Sequence, residues 1–229
     1  MSNALLKTPE TNEKLPPAVQ QSLGISHDVI YTKVQEVVKT YGPENGQFLD
    51  FGAGQGDFLK GMVRGPFKFM YHGVDLMYSK VENVNWYVQD LNKKLQFKDA
   101  QFDVVSCIEV IEHLENPRQI VRDLARVLKP DGLLVLTTPN NESWRSILSY
   151  IFRGHFVAFT DSSYPAHITA LNQVDIYRIL KECGFKRMEV TFTDSGMVPT
   201  APKYTWQKIS LGFLKGLRFS DNMIIVAQK

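Results

Sequence analysis

An alternation of glycines between a strand and a helix constrains this chain most. Residues 49–56 read Leu-Asp-Phe-Gly-Ala-Gly-Gln-Gly, after an apolar segment and before a helical pattern. Glycine has no Cβ atom, so it permits a sharp turn and the close approach of a ligand. A turn of this kind at the carboxyl end of the first strand is where open α/β sheets bind nucleotides. The segment therefore predicts a nucleotide-type site.

The composition is that of a folded globular protein. Of the 229 residues, 44% are apolar and 22% are charged, enough for a core and a polar surface. The net charge of +2 gives no global basic field, so we expect no nucleic-acid partner. The two cysteines, Cys107 and Cys183, show no metal spacing. With no secretory signal and no apolar run of about 20 residues, these features predict a cytoplasmic protein.

Strand and helix patterns alternate along the chain. Strands are predicted at 46–51, 69–76, 84–88, 102–108, 133–138, 185–192 and 222–227, and helices at 18–41, 56–64, 117–128 and 172–183. Such alternation is typical of a parallel, doubly wound α/β sheet. We expect residues 1–15 to form a flexible arm. Residues 16–229 are expected to form one domain, with insertions at about 140–170 and 194–220.

Three acids indicate the kind of ligand. Asp57 stands where the dinucleotide fingerprint has its third glycine, and a carboxylate there opposes a pyrophosphate and suits an ammonium or sulfonium group. Asp75, about 20 residues further on, ends the second strand, where an acid binds a ribose diol. Asp90 ends the third strand and could accept from an adenine amino group, or could simply form a turn. Together they favour S-adenosylmethionine.

Five segments resemble, in order, the motifs of the class I S-adenosylmethionine-dependent methyltransferases. They are residues 49–56, 73–76, 89–91, 102–114 and 128–133. The resemblance covers about residues 28–192. It implies a Rossmann-like sheet of seven strands in the order 3-2-1-4-5-7-6, with the last strand antiparallel.

The resemblance also implies which residues bind the cofactor. The glycines would line its methionine end, Asp75 would hold the ribose hydroxyls, and Met77 would pack on the adenine face unless it is an ordinary packing residue. The backbone near Cys107 would flank the sulfonium. The full set is Asp50, Gly52, Gly54, Gln55, Gly56, Asp75, Leu76, Met77, Asp90, Leu91 and Cys107.

Two glutamates and two histidines are expected to meet beside the acceptor. Glu109, Glu112 and His113 follow the fourth strand, and His167 lies on the same edge of the sheet. The pattern resembles ubiquinone-biosynthesis and small-RNA 3′-terminal 2′-O-methyltransferases, in which such a set binds a divalent cation. It implies a site for Mg²⁺, Mn²⁺ or Zn²⁺, with His113, Glu109 and His167 as catalytic residues. Alternatively, His113 is a general base alone and Glu112 caps the next helix.

The remaining histidines and the acceptor are less constrained. His27, His72 and His155 are interpreted as structural or surface residues. Residues 203–218 combine basic and apolar side chains, which predicts peripheral contact with the inner face of a membrane or a helix that covers the cofactor edge.

The overall pattern is similar to bacterial methyltransferases of surface-polysaccharide or quinone pathways. We expect O-methylation of a small-molecule, glycan or lipid-linked hydroxyl. The alternatives are a non-catalytic S-adenosylmethionine-binding regulator and a nicotinamide-dependent oxidoreductase, which Asp57 opposes. The sequence does not determine the oligomeric state.

Overall fold

The computed structural model describes residues 17–22 and 24–229, so the predicted arm at 1–15 lies outside the described residues. The helices are α1 (Pro17–Ser22), α2 (Asp28–Tyr41), α3 (Asp57–Arg64), α4 (Pro117–Val127), α5 (Trp144–Arg153), α6 (Gln173–Glu182) and α7 (Trp206–Ile209), with a 3₁₀ helix at Ile111–His113. The strands are β1 (Asn45–Phe51), β2 (Lys68–Asp75), β3 (Val84–Val88), β4 (Phe102–Ile108), β5 (Leu128–Pro139), β6 (Arg187–Phe192), β7 (Met197–Val198), β8 (Ala201–Thr205) and β9 (Asn222–Gln228).

Seven of these strands form one sheet in the order β3-β2-β1-β4-β5-β9-β6. Strand β9 runs antiparallel to both of its neighbours, while the pairs from β3 to β5 are parallel. Both the predicted order and the antiparallel last strand are confirmed. Strands β7 and β8 pair only with each other, in a small hairpin that the sequence pattern did not predict.

Apolar side chains cover both faces of the sheet. Alternate residues of a strand point to opposite faces, so Leu49 and Phe51 join one core cluster while Phe48 joins the other. Helix α4 adds Leu124 to the first cluster, and α2 adds Val34 to the second. Burial on both faces explains why the central strands read as continuous apolar runs.

Two predicted elements differ from the structure. The helical pattern at 18–41 is divided between α1 and α2, because Gly24 has a left-handed backbone (φ +59°) that ends the first helix. The strand predicted at 133–138 begins earlier, at Leu128, and residues 129–132 form an irregularity inside β5. Leu128 pairs with Phe102 and Leu133 with Val104, so four residues of β5 stand opposite one of β4.

The carboxyl edge of the parallel strands is where the long connections meet. Strand β5 ends at Pro139, which pairs with the first residue of β9, Asn222. Segments 140–170 and 194–220 therefore both adjoin this edge. No helix among residues 17–22 and 24–229 has the length and hydropathy needed to cross a bilayer.

Candidate active site

The three glycines of the loop after β1 adopt the conformation that their spacing predicts. Gly52, Gly54 and Gly56 have φ values of +80°, +53° and +78°, a region that L side chains rarely adopt. A Cβ atom on Gly54 would overlap the carbonyl oxygen of Gly24, and one on Gly52 would overlap the side chain of Val110. The loop therefore needs glycine both for its turn and for its packing.

Asp75 stands at the end of β2 with its carboxylate oriented by two backbone amides. Its Oδ2 accepts from the Gly54 amide at 2.9 Å, and its Oδ1 accepts from the Met77 amide at 3.0 Å. Burial raises the pKa of Asp75, and these backbone hydrogen bonds oppose that rise. Each oxygen keeps a lone pair, so the side chain can accept hydrogen bonds from a diol.

A cavity of about 750 Å³ opens beside this loop at the carboxyl edge of the sheet. Predicted cofactor residues that line it are Asp50, Gly52, Asp75, Leu76, Met77, Asp90 and Leu91. Gly54, Gln55 and Gly56 belong to the loop but are not among its lining residues. The backbone near Cys107 was predicted to flank the sulfonium: Ile108 and Glu109 line the cavity, whereas the Cys107 side chain is buried in the core.

Asp50 is a buried carboxyl in the wall of the cavity. It accepts a hydrogen bond from the Ser106 hydroxyl at 2.7 Å. Burial raises its pKa to about 7, although the Ser106 hydrogen bond acts in the opposite direction. Its charge therefore changes near neutral pH.

Asp57 does not occupy the position that its spacing suggested. Its carboxylate contacts Lys60 on the next turn of α3 at 2.7 Å, and both side chains are about two-fifths exposed. It is not among the residues that line the cavity. The preference for a cationic ligand must therefore come from other groups.

A segment that sequence patterns missed covers the cavity. Residues 24–27 and the first turn of α2 contribute Ser26, His27 and Tyr31 to its lining. The Ser26 amide donates to the Tyr31 hydroxyl at 3.0 Å, and the Gln55 amide donates to the Gly24 carbonyl at 3.3 Å. The sequence feature that could have indicated this segment is Gly24, a glycine within the predicted helix at 18–41.

The three histidines interpreted as structural or surface residues differ in their surroundings. His72 is a buried core residue between Tyr87 and Phe102, and burial lowers its pKa to about 4. His155 is half-buried, with its Nδ1 3.1 Å from the Phe156 carbonyl. His27 is exposed, but it also lines the cavity.

Glu112, His113 and His167 converge on the opposite side of the cavity. One ligand atom from each lies within 4.8 Å of the others. Glu112 is 1% exposed; its Oε2 accepts from the Thr138 hydroxyl at 3.0 Å, whereas its Oε1 has no partner among the described residues. Burial, with the charge of Glu109 beside it, raises the pKa of Glu112 well above its ordinary value, and a cation or a donor supplied by a ligand would favour the ionised form.

Backbone carbonyls orient both imidazoles of this cluster. The Nδ1 of His113 lies 2.8 Å from the carbonyl of Ala166, and the Nδ1 of His167 lies 2.6 Å from that of Ala158. A carbonyl only accepts, so each neutral ring carries its hydrogen on Nδ1 and presents an Nε2 lone pair. Burial lowers the pKa of both histidines, which keeps the rings neutral at pH 7.

Distant segments of the chain bring the cluster together. The backbone carbonyl of Glu112 accepts from the amides of Ile168 and Thr169, each at 3.0 Å. These bonds hold the segment carrying His167 against the 3₁₀ helix. The alternative role of Glu112 as a helix cap is not observed: Asn116 caps α4 by accepting from the Gln119 amide at 3.1 Å.

Glu109, predicted as a catalytic residue and metal ligand, lines the cavity but is not part of this cluster. Its carboxylate accepts from the Thr137 hydroxyl at 2.8 Å and from the Asn222 amide group at 2.7 Å. Burial raises its pKa to about 7. Glu109 therefore connects the ends of β4, β5 and β9, and the structure brings three of the four predicted ligands together.

Comparisons with known proteins identify the family of this chain. The family model described as a methyltransferase domain matches residues 27–190. A ubiquinone biosynthesis O-methyltransferase of Rickettsia akari is 26% identical over 170 residues, which cover 70% of this chain and 65% of that protein. One of Rickettsia prowazekii is 23% identical over 201 residues, covering 80% of this chain and 76% of that protein. The chain thus spans somewhat less than two thirds of the R. akari relative.

Solved structures show the same fold. A methyltransferase dependent on S-adenosylmethionine from Archaeoglobus fulgidus superposes with a TM-score of 0.64 at 18% identity, covering 92% of this chain and 97% of that one. A possible histamine N-methyltransferase from Thermotoga maritima superposes with a TM-score of 0.65 at 17% identity, covering 89% of this chain and 90% of that one. The family match removes the nicotinamide-dependent oxidoreductase alternative. The chain belongs to the methyltransferase-domain family.

Proposed function

We propose that this protein methylates a hydroxyl oxygen, and that Glu112, His113 and His167 hold a divalent cation beside that oxygen. One observation carries the proposal. The Oε1 of Glu112 is buried without a partner among the described residues, and it lies in a cluster with His113 and His167, whose Nδ1 atoms each face a backbone carbonyl. Two nitrogens and one carboxylate oxygen form a recognised divalent-cation set that leaves positions open for a substrate.

The cavity residues fit the cofactor of the family. Asp75 is oriented to accept hydrogen bonds from ribose hydroxyls, and Leu76 and Met77 offer apolar contact beside it. Asp50 provides a carboxyl near the glycine loop that can face a cationic group. S-adenosylmethionine supplies an electrophilic methyl group on a sulfonium. The protein residues bind the cofactor, orient it and exclude water around it.

A cation in the cluster would make the acceptor more reactive. It would lower the pKa of a bound hydroxyl, so that the oxygen carries more negative charge near neutral pH. Two imidazole ligands favour Zn²⁺ over Mg²⁺, which prefers oxygen ligands. Without a cation, the Nε2 of His113 would be the base that removes the hydroxyl proton.

The acceptor is inferred from the relatives and from the chemistry of the site. The curated relatives in Rickettsia are named as ubiquinone biosynthesis O-methyltransferases, which makes a phenolic hydroxyl of a quinone precursor the first candidate. A glycan or lipid-linked hydroxyl is the second. Solved neighbours include an enzyme named as a phosphoethanolamine N-methyltransferase, so the fold alone does not select oxygen. Both cysteines are free thiols, in keeping with a cytoplasmic reaction.

The test separates cofactor binding, cation binding and methyl transfer. The protein is stripped with a chelator and titrated with Zn²⁺, Mn²⁺ and Mg²⁺ by calorimetry. It is then assayed with labelled cofactor against phenolic quinone precursors, nucleotide sugars and glycans. We expect the stripped protein to bind the cofactor, to lose methyl transfer, and to regain it with Zn²⁺ or Mn²⁺. Unchanged turnover in the stripped protein would assign His113 as the base without a cation.

A matched pair of variants tests the ligand assignment. Glu112→Gln removes a buried carboxylate from the cluster, whereas Glu109→Gln removes one that is hydrogen-bonded elsewhere. We expect Glu112→Gln to weaken Zn²⁺ binding by at least about a hundredfold, because changes in groups that merely orient ligands already cost about 10- to 100-fold. Glu109→Gln should retain the cation. No transfer to any hydroxyl by the cation-loaded protein would instead favour a non-catalytic regulator.

A further inference from the structure

The segment between β6 and β9 presents apolar side chains to solvent. We name residues 209–215 the apolar turn. Leu211 and Phe213 in it are 88% and 87% exposed, the highest values among the large apolar side chains that the structure describes, and Ile209 is 53% exposed. Single exposed apolar residues are common, but three within five positions form a patch that calls for a partner.

The backbone of the apolar turn is held by hydrogen bonds. The Gly212 amide donates to the Gln207 carbonyl at 2.8 Å, and the Leu214 amide donates to the Ser210 hydroxyl at 2.9 Å. The side chain of Gln207 donates to the Leu214 carbonyl at 2.8 Å. Leu211 itself has a left-handed backbone, with φ +51°. The turn is therefore an ordered element whose geometry points Leu211 and Phe213 outward.

Basic residues lie on both sides of the apolar turn in the sequence. Residues 195–220 contain no Asp or Glu, while Lys203, Lys208, Lys215 and Arg218 are all exposed. Neither Lys208 nor Lys215 forms an ion pair within residues 17–22 and 24–229. Two unpaired ammonium groups thus flank an apolar tip. This arrangement matches the boundary of a bilayer, where acyl chains lie below a layer of anionic phosphates.

The apolar turn also adjoins the edge of the sheet that carries the cavity. Strand β6 ends at Phe192 and β9 begins at Asn222, and these neighbouring ends border the segment. Contact through the turn would hold the carboxyl edge near a membrane surface.

We infer that the apolar turn inserts Leu211 and Phe213 into the interface of a bilayer that contains anionic phospholipids, with Lys208 and Lys215 contacting lipid phosphates. Binding is peripheral and reversible, because only a short turn enters the interface. The inference goes beyond the proposed hydroxyl methylation and does not depend on the acceptor. Lipid binding is measured without substrate, so its failure and the failure of methyl transfer are distinguishable.

Vesicle co-sedimentation of the full chain tests the inference. Vesicles of phosphatidylcholine are compared with vesicles that also contain phosphatidylglycerol. The double variant L211N/F213S removes the apolar tip, and asparagine suits the positive φ of position 211. We expect it to weaken partition by about a hundredfold, roughly tenfold for each side chain. K208Q/K215Q should weaken binding to the anionic vesicles by roughly fivefold for each lysine, and should reduce its salt dependence.

The control variants remove the same kinds of side chain, exposed apolar and exposed lysine, from the other edge of the sheet. M70S removes an apolar side chain that is 59% exposed, and K68Q/K186Q removes two exposed lysines near the amino ends of β2 and β6. These variants should partition like the wild type. Urea unfolding and cofactor titration verify that every variant is folded.

Two outcomes would overturn the inference. The first is that L211N/F213S binds anionic vesicles as strongly as the wild type does, which includes the case in which neither protein binds. The other is a wild type that self-associates in sedimentation velocity without binding vesicles, while L211N/F213S is monomeric. That result would assign the apolar turn to an interface between copies of this chain.

Discussion

The two sides of the cavity are built in different ways. On the cofactor side, the carboxylate of Asp75 accepts hydrogen bonds from the backbone amides of Gly54 and Met77, and all three residues belong to about one βαβ unit. On the acceptor side, Glu112 and His167 come from segments far apart in the chain, and Glu112 keeps an unpartnered oxygen. The hydrogen bonds of the first side form without a ligand, whereas the second side leaves a carboxyl oxygen that a ligand could bind. We interpret the first as a preformed binding site and the second as a site whose polar groups are satisfied only when a ligand is bound.

The largest expected effect lies on the cofactor side. In wild type, each carboxylate oxygen of Asp75 accepts from one backbone amide and can also accept from the ribose. Asp75→Asn has only one acceptor oxygen, so one of the two amides loses its partner. We expect cofactor affinity to fall by about a hundredfold, since each hydrogen bond to a charged group contributes about 1.5–3 kcal/mol. Calorimetric titration measures it. Asp90→Asn, at a second predicted cofactor residue, should lose less affinity, because Asp90 is exposed and accepts from Asn92 within its own turn. A larger loss for Asp90→Asn would contradict the ranking.

The next effect concerns the contact between the glycine loop and its covering segment. Gly54→Ala introduces a Cβ against the Gly24 carbonyl at a positive φ, and we expect the free energy of unfolding to fall by roughly 2 kcal/mol. Gly154→Ala has a similar φ but no neighbour within 4 Å, so it should lose only about 1 kcal/mol. Urea unfolding compares the two. Equal losses would show that conformational strain alone limits position 54.

A third prediction concerns pH on the cofactor side. Burial raises the pKa of Asp50 to about 7, so the free protein holds a proton there below that pH. A cationic cofactor favours the ionised carboxylate, and we expect its affinity to rise by up to about tenfold as pH increases through 7. Ser106→Ala removes the hydrogen bond that lowers this pKa, so the midpoint should move to higher pH.

Asp50→Asn provides the control for that pH dependence. Glu109 also has a pKa of about 7 and also lines the cavity. If the affinity of Asp50→Asn is independent of pH, Asp50 is the titrating group. If the dependence persists, Glu109 or another group causes it, and the interpretation of Asp50 is wrong.

The smallest effect is expected at the helix after the glycine loop. Asp57→Asn removes an exposed pair with Lys60, so stability should change by no more than about 0.5 kcal/mol. Cofactor affinity should not change, because Asp57 does not line the cavity. A clear loss of affinity would support the sequence-based prediction that Asp57 faces the cationic group of the ligand. Thermal unfolding and the same titration provide both values.

Sequence patterns predicted the features that depend on neighbouring residues. The positive φ values of Gly52 and Gly54 and the position of Asp75 follow from the local strand–turn–helix unit. The order of the sheet came from the resemblance, which the fold confirms. The side chain of Cys107 faces the core because a strand alternates its side chains, whereas the prediction that the backbone near it flanks the sulfonium stays a prediction.

Features that depend on distant segments were not predictable. Glu109 has the same residue type and neighbourhood as Glu112, yet its carboxylate meets Asn222, 113 positions away. The contact of Gly24 with the glycine loop likewise joins segments that no periodicity connects. Residue type and spacing indicated which side chains were candidates, and only tertiary contacts separated the cluster of Glu112, His113 and His167 from Glu109, which connects the strands.

The contact between Gly24 and the loop has a kinetic consequence. Residues 24–31 form one wall of the cavity, and the Gly24 carbonyl is hydrogen-bonded to the Gln55 amide. A ligand that leaves past this wall must displace the segment and break that bond. The residence time of the spent cofactor would then be set by the mobility of a stretch of backbone that precedes the whole sheet in the chain.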